Sequence, residues 1–194
     1  INIDVIDSVK DNKENHFYKS GKFIALKDLL NSLNYNEEDT LSCINNKNKI
    51  ILFSRSVLTL EKIMAFLNLI FPLIKYQELS SKQNSNQRDE VIYNFNNLFE
   101  YKILLLTPKI GGLGLNLTSA NIVIMFDHDF NPMNDLQAMD RAHRLGQKST
   151  VNVFRLITNN TLEEKIMGIQ NFKKSIANTV VNIENSSIKN VQES

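Results

Sequence analysis

With 194 residues the chain is long enough for one full hydrophobic core, and a single compact domain with ragged ends is the expectation. Hydrophobic residues at 42% and charged residues at 22% are ordinary for a globular protein, and a formal net charge of +1 means that any nucleic-acid site must be local rather than a product of overall basicity. The single cysteine, Cys43, excludes an intrachain disulfide and fits a reducing compartment, and no apolar run approaches the ~20 residues that span a bilayer. The first residues have neither the basic start nor the apolar stretch of a signal peptide, and position 1 is Ile rather than Met, so the chain reads as part of something longer.

Residues 1–20 are polar and mixed and read as a loosely held lead-in. From Gly21, Phe23, Leu26, Leu30 and Leu33 form one helical stripe; residues 34–48 then read as an exposed loop. Asn clusters there, at Asn45, Asn46 and Asn48, and again at Asn84, Asn86, Asn96 and Asn97, which reads as loop filling without chemistry. Ile50–Ser54 is a short apolar run expected to be a strand buried on both faces. Leu60, Ile63, Met64, Leu67 and Phe71 predict a helix stopped by Pro72, and Lys75–Leu79 a weaker strand. Gln87–Phe99 carries Val91, Phe95 and Leu98 at helical spacing, and Lys102–Thr107 is the clearest strand. Ile122–Phe126 predicts another strand, Gln137–Arg144 a helix stopped by Gly146, and Val151–Ile157 the last strand. Thr161 and Glu164 match a capping box opening a helix with Leu162, Ile166, Ile169, Ile176 and Val180 in a stripe, and beyond Glu184 the tail turns polar.

Strands alternating with helices predict an α/β domain with a mostly parallel sheet and helices on both faces. Ligands in such folds bind at the carboxyl ends of the strands, which directs attention to Thr107, Asp127 and the segments after them. Gly111, Gly112 and Gly114 fall within four residues of one another, after the clearest strand. Glycine there would let consecutive N–H groups and a following helix N-terminus face a phosphate, or would merely make a tight strand-to-helix turn. No Gly-Lys-[Ser/Thr] follows, so this is not a P-loop, and none occurs elsewhere. Gln137, Arg141 and Arg144 stand at i, i+4 and i+7, with Leu136, Met139 and His143 facing inward. Two guanidinium groups so held could clamp an anion, or form a solvated face. Asp127, His128 and Asp129 precede Asn131-Pro132 and read as turn residues rather than a metal site; no metal is expected. Ser54, Arg55 and Lys109 lie on the edge that carries the glycine turn, where they suit contacts that track a nucleic-acid backbone or are ordinary solvated groups.

In this order the segments resemble the second RecA-like lobe of the Swi–Snf family of DNA translocases. Lys49–Arg55 resembles the family's fourth motif, Gln87–Asn96 its "QR…FN" helix, Thr107–Ala120 its fifth motif and Gln137–Gln147 its sixth. Ser20 to Leu30, Asn131-Pro132-Met133 and Thr161 to Ser187 are similar to the branch of TATA-binding-protein-associated ATPases. Leu79-Ser-Ser-Lys82 departs from the family's Leu-Asp-Gly-Ser, which puts that loop's DNA contact in question, and Phe130 stands where the family has Trp.

The resemblance implies a RecA-like three-layer α/β/α lobe over residues 21–160, with 161–194 a helix and polar tail bracing it. It implies that Arg141 and Arg144 are arginine fingers meeting the γ-phosphate of ATP, with Gln137, Gly114 and Asn116 near the nucleotide. Ser54, Arg55, Thr107, Lys109, Gly111 and Gly112 match the DNA-backbone side. It further implies ATP and Mg2+ held mainly by an N-terminal RecA-like lobe of the same polypeptide. The implied partners are double-stranded DNA and, through upstream regions, TATA-binding protein, which the translocase strips from DNA in the nucleus; no membrane is involved. The alternatives are a nucleosome-remodelling ATPase of the same family, an RNA helicase lobe, against which Gln147 speaks, and a non-enzymatic interaction domain that kept the fold.

Overall fold

The computed structural model describes residues 16–35, 46–111, 115–140, 142, 146–147 and 149–173. Three strands carry the centre: β1 (Ile50–Phe53), β3 (Tyr101–Leu106) and β4 (Ile122–Met125). They are built mainly from Ile, Leu and Val, and every position except Tyr101 is buried, Lys102 included. Successive side chains on a strand point to opposite faces. Ile50 aligns with Ile103 and with Ile122, so residues of the same parity stack across the sheet. Ile50, Leu52, Ile103, Leu105, Ile122 and Ile124 therefore enter one core, and Ile51, Phe53, Leu104, Leu106, Val123 and Met125 the other. A continuous apolar run is what two covered faces require.

Among the described residues the sheet has five parallel strands in the order β2-β3-β1-β4-β5, with β2 (Lys75–Leu79) and β5 (Asn152–Arg155) at the edges. Only Leu79 of β2 is buried and β5 is half exposed, which is why both edges read as weaker strands. Helices α1 (Gly21–Ser32) and α2 (Val57–Ile70) cover one face through Phe23, Leu26, Leu30, Leu60, Ile63, Phe66 and Leu67. The opposite face is covered by α3 (Ser85–Asn97), the four-residue α4 (Pro108–Gly111) and α5 (Pro132–Met139), through Phe95, Ile110 and Ala138. A last helix, α6, covers 162–173. This is the RecA-like three-layer α/β/α lobe that was expected. None of its helices is long and apolar enough to cross a membrane, among the described residues.

Several local expectations are corrected. Helix α3 begins two residues before Gln87, because Asn84 and Gln87 form a reciprocal capping box: Gln87 N–H donates to Asn84 Oδ1 at 2.9 Å and Asn84 N–H to Gln87 Oε1 at 3.0 Å. Leu98 is the C-cap of that helix and 40% exposed, outside the buried stripe. Asn is more than filler: Asn46 donates to Leu33 O, Asn96 to Asn116 O, and Asn121 to Asn48 Oδ1, each latching one loop to another segment. The lead-in is held at its end by Phe17, whose ring meets Phe23 and Phe66 at centroid distances of 5.0 and 5.5 Å.

Helix α6 departs furthest. Thr161 Oγ1 accepts from the Glu163 N–H at 3.2 Å, while Glu164 reaches the Asn160 N–H at 2.9 Å, so the box predicted between Thr161 and Glu164 is displaced by one residue. Leu162 and Ile169 of the predicted stripe are exposed, and the buried positions are Ile166 and Gln170. Ile176 and Val180 lie outside the described residues, as does Cys43.

Candidate functional site

β1 and β4 are neighbours and parallel, so Ser54-Arg55 and Asp127-His128-Asp129 leave the sheet side by side at its carboxyl edge. Asp127 bridges them: its Oδ2 accepts from Ser54 Oγ at 2.8 Å and its Oδ1 from the Arg55 N–H at 2.6 Å. The Arg55 guanidinium donates to His128 O at 3.1 Å and faces Asp129 across 3.6 Å, with 44% of its side chain still exposed. Asp129 and Asn131 then form successive turns, and Asn131 caps α5 by accepting from the Met133 N–H, with Pro132 at the first helical position. The turn reading of this segment holds, and sequence adjacency places α5 directly after it.

Beneath that turn lies a buried polar network that the sequence pattern did not announce. Asp135, on the inward face of α5, is 0% exposed, as is Gln170 of α6, and His128 is 2% exposed. Asp135 Oδ1 accepts from the Asp129 N–H at 3.2 Å and its Oδ2 from Gln170 Nε2 at 2.9 Å. The second Gln170 amide proton goes to Asp129 O at 2.5 Å, and Gln170 Oε1 accepts from Arg155 at 3.3 Å. His128 donates through Nε2 to Leu156 O at 3.2 Å, and its Nδ1 stands 3.5 Å from Asp135 Oδ2 without well-formed hydrogen-bond geometry. Burial alone would push the Asp135 carboxyl up; the adjacent His128 ring and the protons donated by Gln170 and the Asp129 N–H outweigh it and hold the group below its ordinary value. The only sequence signal was polar residues at helical core positions, Asp135 three residues before Ala138 and Gln170 four after Ile166.

The structure spreads the sequence-predicted residues over this edge unevenly. Arg55, Lys109, Asn116 and Gln137 are exposed, whereas Thr107 is 8% exposed. Ser54 is fully buried with its hydroxyl committed to Asp127, which leaves it a positioning part rather than a surface contact. Gly111 ends α4, and Gly112 and Gly114 lie outside the described residues. Helix α4 begins at Pro108 and includes Gly111, and residues 115–121 carry no helix, so the helix expected to follow the glycines is not found among the described residues. Helix α5 starts five residues before Gln137 and ends at Met139 with Asp140 as C-cap. Its buried face is Pro132, Asp135 and Ala138, with Leu136 and Met139 only partly covered. Arg141, Arg144 and His143 lie outside the described residues, and Gly146, at φ +103°, sits in a turn beyond the end of α5.

What unites the fifth- and sixth-motif segments is contact between α4 and α5, together with one amide. Gln147 Nε2 donates to Ala120 O at 2.7 Å and to Ala142 O at 3.2 Å, pinning the end of one segment to the other. Among the described residues no group of three His, Cys, Asp or Glu could hold a metal ion.

On the far side of the edge, Lys22 of α1 donates to Phe126 O at 2.6 Å and pairs with Glu163 of α6. Burial pushes the Glu163 carboxyl up, but the Lys22 ammonium and the Thr158 N–H outweigh it, so its pKa is lower in the folded chain than its ordinary 4.5. The stability it contributes is complete above pH 4.5 and declines as the pH falls through the folded value. Glu163→Gln should therefore flatten the acid limb of a stability–pH curve measured by urea unfolding; an unchanged limb would remove this tie from the acid response.

The fold and its carboxyl-edge site define a helicase-type motor lobe: the chain belongs to the helicase conserved C-terminal domain family, whose model matches residues 21–146. Within it, the relatives are of the Swi–Snf kind that the motifs implied. The chain is 56% identical over 120 residues to TATA-binding protein-associated factor 172 of Homo sapiens, covering 62% of this chain and 6% of that protein. It is 57% identical over 117 residues to TATA-binding protein-associated factor MOT1 of Saccharomyces cerevisiae, covering 60% of this chain and 6% of that one. A crystal structure of the C-terminal part of the Fun30 ATPase domain superposes with a TM-score of 0.70 at 36% identity, covering 79% of this chain and 46% of that chain. The chain thus spans about 6% of the length of the curated relatives it matches.

Proposed function

We propose that this chain is the C-terminal lobe of an ATP-driven double-stranded-DNA translocase of the nucleus, one that displaces TATA-binding protein from DNA and so regulates transcription. The observation that carries the reading is the identity of 56% and 57% to two TATA-binding protein-associated factors, against 45% to the chromatin-remodeling ATPase INO80 of Mycosarcoma maydis. Residues 21–160 form the motor lobe and 161–194 brace it, with 1–20 leading in. Arg141 and Arg144 act as the arginine fingers, and Gln137, Gly114 and Asn116 border the nucleotide. Arg55, Thr107, Lys109, Gly111 and Gly112 face the DNA backbone, with Ser54 positioning them. ATP and Mg2+ are held mainly by the N-terminal RecA-like lobe of the same polypeptide, and TATA-binding protein is met by upstream regions.

Exposure of Arg55 and Lys109 at the carboxyl edge supports a backbone contact, since cations there can meet phosphates without desolvating a buried group. Half a site cannot turn over. The isolated 194-residue chain should hydrolyse no ATP above a no-enzyme control, whereas the polypeptide with its upstream lobe should hydrolyse ATP faster when duplex DNA is added and release TATA-binding protein from promoter DNA. Turnover by the isolated chain, or equal stimulation by duplex RNA, would sink the reading. Nucleosome movement without release of TATA-binding protein would replace it by the remodelling one.

A further inference from the structure

We propose that Gln170 is a positioning residue that sets the coupling between the DNA-facing and nucleotide-facing halves of this edge, by clamping both ends of the segment that joins them. The inference rests on the functional reading above. Segment 127–135 is anchored at its start to β1, through Asp127 to Ser54 and the Arg55 N–H and through Asp129 to the Arg55 guanidinium. At its end it becomes α5, which carries Gln137 and leads into Arg141 and Arg144. Gln170 comes from a different element, 35 and 41 residues away, and spends its two amide protons on the two ends of this segment: Asp129 O at 2.5 Å and Asp135 Oδ2 at 2.9 Å.

A primary amide has two donor protons, and here both are used on groups six residues apart. Asp135 closes the loop by accepting from the Asp129 N–H at 3.2 Å, so three bonds define one rigid ring of residues 129, 135 and 170. Arg155 of β5 completes it by donating to Gln170 Oε1 at 3.3 Å and fixes which way the amide faces. Asp135 and Gln170 are both fully buried, so the bond between them is closed to water and a partner lost there is not readily replaced. A shift of Arg55 on contact with a phosphate backbone is thereby transmitted to α5 as a rigid-body displacement. Without the clamp, the turn would absorb it. Helix α6 is in this sense part of the motor site, which it reaches through the buried Gln170.

The test uses the full polypeptide with both lobes and reads the ratio of duplex-DNA-stimulated to basal ATP turnover, which does not depend on the fraction of molecules that are folded. Gln170→Leu should lower that ratio at least fivefold, and Arg155→Met, which frees the amide without orphaning the carboxylate, about twofold. Leu162→Ala, on the exposed face of the same helix, should leave the ratio unchanged. A ratio equal to wild type in Arg155→Met and in Gln170→Leu, with stimulated and basal rates falling together, would overturn the proposal and leave Gln170 a stabilising residue. If Gln170→Leu does not fold, the Arg155→Met ratio decides alone. Absence of any DNA stimulation in the wild-type polypeptide would instead refute the functional reading itself.

Discussion

Asp135→Ala should destabilise the protein by about 2–5 kcal/mol, since it takes the acceptor from two donors at roughly 1–3 kcal/mol each. The substitution does more than delete a side chain. It leaves the Asp129 N–H and one Gln170 amide proton without their acceptor, the latter fully buried, and each unsatisfied group adds its own desolvation cost. Gln137→Ala, two residues further along the same helix but exposed, should change stability by no more than about 0.5 kcal/mol. Chemical denaturation of the two variants beside the wild type measures both. Near-equal midpoints would mean that the buried network contributes little. Because the folded Asp135 carboxyl is held below its ordinary value of 3.8, the stability it contributes is complete above that pH and is lost as the pH falls through the folded value; Asp135→Asn should blunt that loss.

Arg144→Ala in the polypeptide that carries both lobes should lower DNA-stimulated ATP hydrolysis by about a thousandfold or more while DNA binding survives. A guanidinium that reaches the γ-phosphate meets charge that grows in the transition state, so its removal costs turnover rather than substrate affinity. Arg144→Lys should recover little, because a planar fork with several fixed donors is replaced by a point charge on a flexible stem. Turnover and a DNA-binding isotherm measured on the same preparation separate the two effects, and unaltered turnover in Arg144→Ala would remove the finger assignment.

Most of the fold was legible because the strands are buried on both faces. An apolar run such as Ile50–Phe53 or Ile103–Leu106 has few folds open to it, and the helical stripes of Phe23, Leu26 and Leu30 or Leu60, Ile63 and Leu67 supply the layers that cover it. Where expectations slipped, a side-chain hydrogen bond had outweighed periodicity. Asn84 and Gln87 moved the start of α3, Asn131 and Pro132 moved that of α5, and Gln170 turned α6 so that Leu162 and Ile169 face outward. A stripe of apolar residues states what a helix could bury, and a polar residue with a buried partner on another element can rotate it away.

The amino-acid sequence by itself determined the parallel α/β lobe and the family, because strand periodicity and motif order are local properties of the chain. Only the tertiary structure decided that Ser54 turns inward to Asp127, that Asp135 is a buried carboxylate rather than a surface charge, and that Gln170 reaches back to hold it. Those facts depend on which groups meet across 35 to 73 residues of chain. The worth of such a meeting comes from its exclusion from water, and that exclusion exists only once the layers have closed.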